Sequence, residues 1–132
     1  YRTGDLVELT REPCPCGRGF ARIKGGVLGR ADDMMIVRGV NIYPGAIDDL
    51  MRGLAAVVEY EVNIRRIAGM DDLLIKVESA EGHSFEEVER SIRSAFRHRF
   101  SLRVSIERAA RGSLPRYEFK ARRYKREDSG QL

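Results

Sequence analysis

A chain of 132 residues can bury one ordinary hydrophobic core, with a small appendage at most. Hydrophobic content of 42% and charged content of 33% are those of a globular protein, and no apolar run approaches the roughly 20 residues needed to span a bilayer. The formal charge of +4 is unevenly placed: between Arg116 and Arg126, six basic residues (Arg116, Lys120, Arg122, Arg123, Lys125, Arg126) stand against Glu118 alone. On charge alone this is a solvated terminal face, able to attract phosphates or an acidic partner. No secretory signal is visible, and the opening Tyr1-Arg-Thr-Gly-Asp5 starts in mid-motif, so the chain is expected to be a piece of a longer one.

In chain order, residues 1–31 are rich in glycine and turn residues. Leu6–Leu9 and Phe20–Ile23 are short strand candidates around the Pro13–Gly19 turn. This segment lacks the apolar content for its own core and is expected to pack on something outside the chain. Its two cysteines, Cys14 and Cys16, are separated by one residue, a spacing that strains a disulfide. With nothing else suggesting an oxidising compartment, a cytoplasmic setting is expected. Cys14-Pro-Cys-Gly17 also resembles half of a zinc knuckle. Two ligands are too few for a structural Zn2+ site, so either further ligands lie upstream or the thiols are free.

From Asp32 the pattern becomes self-sufficient. Met34–Val37 and Val40–Tyr43 flank Arg38-Gly39, which reads as a hairpin turn. Pro44 suits a first helical turn, where its missing N–H does no harm, and Ile47, Leu50, Met51 and Leu54 follow at helical spacing. Val58, Tyr60, Val62 and Ile64 alternate as one strand and Leu73, Ile75 and Val77 as another, with Gly69–Asp72 turning between them. Ser84-Phe-Glu-Glu87 is a capping box, and Phe85, Val88, Ile92, Ala95, Phe96 and Phe100 make one apolar helical stripe. Leu102, Val104 and Ile106 alternate as a last strand. This order predicts an α+β sandwich, an antiparallel or mixed sheet backed by two main helices. The β-rich segment 1–31 precedes it, the domain proper covers 32–126, and 127–132 is a frayed tail.

Two motifs suggest chemistry. In Tyr1-Arg-Thr-Gly-Asp5 a carboxylate follows a glycine and can accept two hydrogen bonds at once, which suits the paired hydroxyls of a ribose. In Gly29-Arg30-Ala31-Asp32-Asp33 an arginine suits a phosphate or sugar, beside aspartates that cap a turn. His83 and His98 lie far apart in sequence and read as polar helix residues. With Arg38-Gly39 and a lysine near the end, these motifs resemble the adenylate-forming superfamily of acyl-CoA synthetases, peptide-synthetase adenylation domains and luciferases. Asp32-Asp-Met-Met-Ile-Val-Arg-Gly-Val-Asn-Ile-Tyr-Pro44 and Lys120-Ala-Arg-Arg123 resemble the hinge and tail of its phenylacetate–CoA ligase family, and the likeness covers nearly all of residues 1–126.

The resemblance implies an ATP-dependent, AMP-forming acid–CoA ligase acting on a small aromatic carboxylic acid, with ATP/AMP, CoA and Mg2+ as cofactors and most of the site on a missing large domain in cis. It implies that Asp5 holds the ribose hydroxyls and that Arg30 contacts the same ribose or its phosphate. Asp32 is then the hinge about which the small domain rotates between adenylation and thioester formation. Gly39 would line the pantetheine channel, and Lys120 would enter the site for adenylation. The chain departs from the wider superfamily in carrying Phe119 before the tail lysine and Asn41 after the hinge turn, which leaves Lys125 as a competing active lysine. Arg122 and Arg123 would hold the lysine loop or meet the 3′-phosphate of CoA. The chain by itself is expected to be inactive. An adenylating enzyme with a non-CoA acceptor is the neighbouring alternative, and a noncatalytic binding module with a basic tail the alternative of another class. Nucleic acid is not expected as a partner, since the strands offer only Tyr43 and Tyr60 for stacking. No membrane partner is expected either, and a homodimer is compatible with the sequence.

Overall fold

The computed structural model describes residues 1–116 and 123–127. The chain runs through β1 (Asp5–Thr10), β2 (Arg22–Arg30), a 3-10 turn (Ala31–Asp33), β3 (Met35–Val37), β4 (Val40–Ile42) and α1 (Pro44–Arg52). It continues through β5 (Val57–Ile67), β6 (Met70–Ser79), α2 (Phe85–Phe100), β7 (Ser105–Arg108) and β8 (Tyr124–Arg126). The fold is α+β, as the element order predicted. No helix among the described residues is long and apolar enough to cross a membrane.

Three sheets form. β1 and β2 make an irregular antiparallel ribbon, β3 and β4 a short hairpin, and a mixed sheet has the order β7-β6-β5-β8. In that sheet β5 and β6 are antiparallel, while β7 and β8 join the outer edges in parallel. Both hairpin reversals are two-residue turns with both central residues at positive φ, Arg38-Gly39 (47° and 81°) and Ala68-Gly69 (49° and 79°). Such turns match the right-handed twist of the strands they join, and glycine at the second position removes half of the strain.

The helices close one face of the mixed sheet. Register puts Tyr60 opposite Val77, Val62 opposite Ile75 and Ile64 opposite Leu73, all pointing into one core. Ile47, Leu50 and Met51 of α1 and Val88, Ile92 and Phe96 of α2 fill that core from above. Each such side chain contributes about 1.5–3 kcal/mol by leaving water. α2 starts where the sequence says it should. The Ser84 hydroxyl accepts from the Glu87 N–H at 3.2 Å, and the Glu87 carboxylate accepts from the Ser84 N–H at 3.0 Å.

The opposite face departs from expectation. Alternation in β5 predicts that Glu59, Glu61 and Asn63 point to solvent, yet all three are buried, as is Glu78 across from Glu59. The residues covering this face include the chain's own end, where Leu114 is buried and Arg116, Arg123 and Lys125 meet the carboxylates. β8 is therefore a strand of the sheet, where the sequence suggested a solvated tail. The first ribbon is the converse case: Leu9, Phe20, Ile23, Val27 and Leu28 are all exposed, so residues 1–31 contribute little to the core.

Removing the helix cap in Ser84→Ala is expected to lower the unfolding free energy by about 1 kcal/mol, and Phe96→Ala by about 3–5 kcal/mol. Urea titration of the two variants checks the ranking.

Candidate functional site

β1 and β2 pair so that Asp5 stands opposite Arg30, and the Ala31 N–H donates to the Gly4 carbonyl at 2.8 Å. Two residues later the 3-10 turn brings Asp32 back under the same arginine. The Arg30 Nε and Nη2 donate to the two oxygens of Asp32, each at 2.9 Å, in a bidentate fork. Gly4 lies beneath that guanidinium, where an added Cβ would sit 3.4 Å from Arg30 Nη2. Thus Asp5 of the first motif and Arg30 and Asp32 of the second occupy one exposed joint. The arginine holds the Asp32 carboxyl below its ordinary range, and Asp32 raises the arginine in return. The arginine expected to meet a ribose is here paired with the expected hinge residue.

The joint is close to the domain that follows it. Gly29 of β2 lies against the ring of Tyr43, and the Leu28 carbonyl approaches Gly45 at the start of α1. Downstream, the β3–β4 turn carrying Gly39 is fastened to the main sheet: the Arg38 N–H donates to the Asp71 carbonyl at 3.2 Å, and Arg38 Nε lies 3.0 Å from the buried Asp72 carboxylate. Beside Gly39 runs an open groove of about 420 Å³ in which Met34, Ile36 and Met70 supply apolar surface and Arg38, Arg66 and Arg126 supply positive charge, the last two paired with Asp71 in the same lining. An added Cβ at Gly39 would meet nothing within 4 Å, so that face of the turn is open. Such a groove suits a long, partly apolar ligand with an anionic end.

α1 is tied to the sheet through Asp48, whose carboxylate accepts hydrogen bonds from the hydroxyls of Tyr60 and Tyr124. The Tyr124 hydroxyl also lies 2.8 Å from the Pro44 carbonyl. Burial, reinforced by Asp48, pushes both phenols far above their ordinary range.

The acidic face of the sheet was not singled out by sequence reasoning. Glu78 accepts from Arg116 (2.6 and 3.1 Å) and from the Gly112 and Leu114 N–H groups (3.0 and 2.7 Å). The arginine first, and those N–H groups after it, hold this carboxyl down at about 2 against the burial that would raise it. Burial also pushes Glu59 up, but hydrogen bonds from Arg123 (2.7 and 3.2 Å) and the Tyr60 N–H (3.0 Å) leave it below its ordinary value. Glu61 is held down likewise, against burial, by Lys125 at 2.6 Å and Asn63. The available signal was acids at Glu59, Glu61 and Glu78 inside apolar strands, matched by surplus cations after residue 115.

Lys120 and Arg122 lie outside the described residues. Lys125 is described, and its ammonium is engaged by Glu61. Cys14 and Cys16 are free thiols with sulfurs 2.8 Å apart in a turn closed by the Gly17 N–H and the Cys14 carbonyl. Cys14 lines a hollow of about 550 Å³ that also includes Phe20. Among the described residues no group of three or more His, Cys, Asp or Glu side chains could hold a metal ion.

The glycine at the tip of the hairpin and the small α+β sandwich that follows it lie in the part of the chain that a family model covers. Residues 39–126 match the family described as AMP-binding enzyme C-terminal domain, and the chain belongs to that family. It is 42% identical over 95 residues to a phenylacetate-coenzyme A ligase of Thermus thermophilus, an alignment covering 71% of this chain and 21% of that protein. Its fold is similar to 2-hydroxyisobutyryl-CoA ligase in the postadenylation state with R3-HIB-AMP, with a TM-score of 0.83 and 33% identity, over 95% of this chain and 28% of the other. Against the same ligase with 2-HIB-AMP and CoA in the thioesterification state the TM-score is 0.65 at 34% identity, again over 95% of this chain and 28% of the other. The chain thus spans between a fifth and a third of the length of these relatives.

The depressed Glu78 carboxyl fixes the sign of one pH dependence. The folded state keeps it ionised down to about 2 while the unfolded chain protonates it near 4.5, so its contribution is present above about pH 4.5 and is lost as pH falls toward 2. Unfolding free energy measured across that window should fall less steeply in Glu78→Gln than in the parent chain.

Proposed function

We propose that the chain is the C-terminal part of an AMP-forming acid–CoA ligase. Residues 1–31 close a large nucleotide-binding domain, and residues 32–126 form a small domain that turns about Asp32. The observation that carries this reading is the meeting of Asp5, Arg30 and Asp32 at one joint, immediately ahead of the segment that matches the family. The unequal likeness to two states of one ligase supports it. At nearly equal identity and the same coverage, the postadenylation state fits far better than the thioesterification state. That difference is expected if the two parts of the chain are set differently in each state.

In this reading Asp5 accepts hydrogen bonds from the ribose hydroxyls, and Arg30 exchanges Asp32 for the sugar or phosphate as the joint turns. The acid is a small aromatic carboxylate, phenylacetate-like, in keeping with the Thermus relative. A carboxylate oxygen attacks the α-phosphorus of ATP and pyrophosphate leaves. After rotation the CoA thiol attacks the acyl carbon and AMP leaves. The groove beside Gly39 takes the pantetheine arm, its arginines facing the anionic end. Lys120 supplies a cation to the phosphoryl oxygens during adenylation. Lys125 is the poorer choice because Glu61 already engages it. Mg2+ would neutralise the triphosphate. The described residues offer it no carboxylate cluster, and Zn2+ at Cys14 and Cys16 requires ligands from outside them. Two free thiols fit a cytoplasmic setting.

In the complete enzyme, Lys120→Ala is expected to slow acid-dependent ATP–pyrophosphate exchange by about 100-fold or more while sparing thioester formation from supplied acyl-adenylate. Equal loss of both steps would remove the assigned role. AMP release that needs the acid but ignores CoA would point to another acceptor.

Asp32→Pro is expected to depress one half-reaction selectively, because the ring fixes φ at the pivot. Asp32→Ala, which loses the Arg30 pair but keeps the free φ, should retain both steps better. Half-reaction assays that leave both steps undiminished in the proline variant would remove the hinge.

A further inference from the structure

Glu59 and Glu78 face each other directly across β5 and β6 on the sheet surface turned away from the helices. Like charges in facing positions repel, and each of these carboxylates is buried, where an unpaired charge is strongly disfavoured. Both stay ionised because each is met by one arginine fork. Arg116 meets Glu78 through two nitrogens, and Arg123 meets Glu59 through two nitrogens. Arg116 lies close enough to Glu59 to be felt by it as well.

The two arginines are not arbitrary neighbours in sequence. They bracket residues 117–122, the segment that contains Lys120. Arg116 is fixed further by its bond to the Leu114 carbonyl, and Leu114 and Gly112 are themselves bound to Glu78 through their N–H groups. On the far side, Arg123 lies over the Tyr60 ring at 5.1 Å, its carbonyl accepts from the Val62 N–H at 2.7 Å, and Lys125 pairs with Glu61. Arg116 and Arg123, the residues that flank 117–122, are thereby held over a single pair of facing carboxylates.

We infer that Glu78 and Glu59 are positioning residues for adenylation: they form a charged base that fixes both ends of the lysine-bearing segment, so that domain rotation delivers Lys120 to one place. The inference rests on the reading of Lys120 given above. Neither glutamate touches substrate in this scheme. Their effect is to narrow the range of positions open to the lysine, and small misplacements of a charge-stabilising group are costly to rate. A purely structural role predicts something different, a loss of stability with both half-reactions falling together.

The experiment uses the complete enzyme with Glu78→Gln, Glu59→Gln and, on the tail side, Arg116→Gln and Arg123→Gln. Acid-dependent ATP–pyrophosphate exchange is expected to fall by about 10- to 100-fold while thioester formation from supplied acyl-adenylate and CoA stays within about twofold. Limited trypsin digestion under native conditions should cut after Lys120 several-fold faster in each variant, with cleavage read by mass spectrometry. Exchange and cleavage rates like those of the parent in the tail-side variants would overturn the inference, as would equal loss of both half-reactions in all four. Lys120→Ala runs beside them. If it leaves exchange intact, the role given to the lysine has failed, and the trypsin arm alone then decides whether the glutamates anchor the segment.

Discussion

Two carboxylates set face to face in a buried strand pair are the constraint on which the rest of this domain depends. Glu59 and Glu78 cannot both stay charged in such a place without cations, and the chain supplies them from its own end. The consequence is architectural as well as electrostatic. The two helices cover one face of the mixed sheet, and Leu114, Arg116, Arg123 and Lys125 help to cover the other. These residues are therefore part of the sheet's cover, and β8, with Tyr124 bonded to Asp48 and close to the Pro44 carbonyl, links that face to α1. At the start of α1, Gly45 is approached by the carbonyl of Leu28, two residues before Arg30.

The molecule accordingly has two mechanical characters. From β3 onward, core packing and the paired acids make a unit with strong internal ties. The β1–β2 ribbon is different: its apolar side chains are exposed, its register slips twice, and it meets the following domain through the Gly29–Tyr43 and Leu28–Gly45 approaches. Between them lies a three-residue 3-10 turn whose main side-chain tie is an exposed Arg30–Asp32 fork. An exposed ion pair is weak in water. That suits the rotation proposed for this joint, and it is the opposite of what the buried Glu78 ion pair provides.

Much of this was legible in the sequence where periodicity and local chemistry speak for themselves. The capping box at Ser84, the Val88–Ile92–Phe96 stripe, Pro44 at a helix start and the Arg38-Gly39 turn all form as their local physics dictates. The Tyr1–Asp5 and Gly29–Asp33 motifs likewise mark Asp5, Arg30 and Asp32, which the fold brings together. What could not be read was the second face of the sheet. Alternation in β5 marks Glu59 and Glu61 as solvent residues, because periodicity distinguishes the faces of a strand but not what later chain covers them. The basic run after Arg116 looked like a solvated tail for the same reason: its partners stand 38 and 64 residues away along the chain. Long-range ion pairing leaves a compositional trace, surplus acids here and surplus bases there, without a register.

The central proposal is that this domain moves as one body about Asp32. The most direct measurement is the distance between spin labels at exposed Arg11, ahead of the joint, and exposed Glu86 on α2, placed in the complete enzyme by unnatural amino acids. With ATP and the acid bound one distance should dominate, and addition of CoA should shift the population to a clearly different one. A single unchanged distribution in all ligand states would contradict the account.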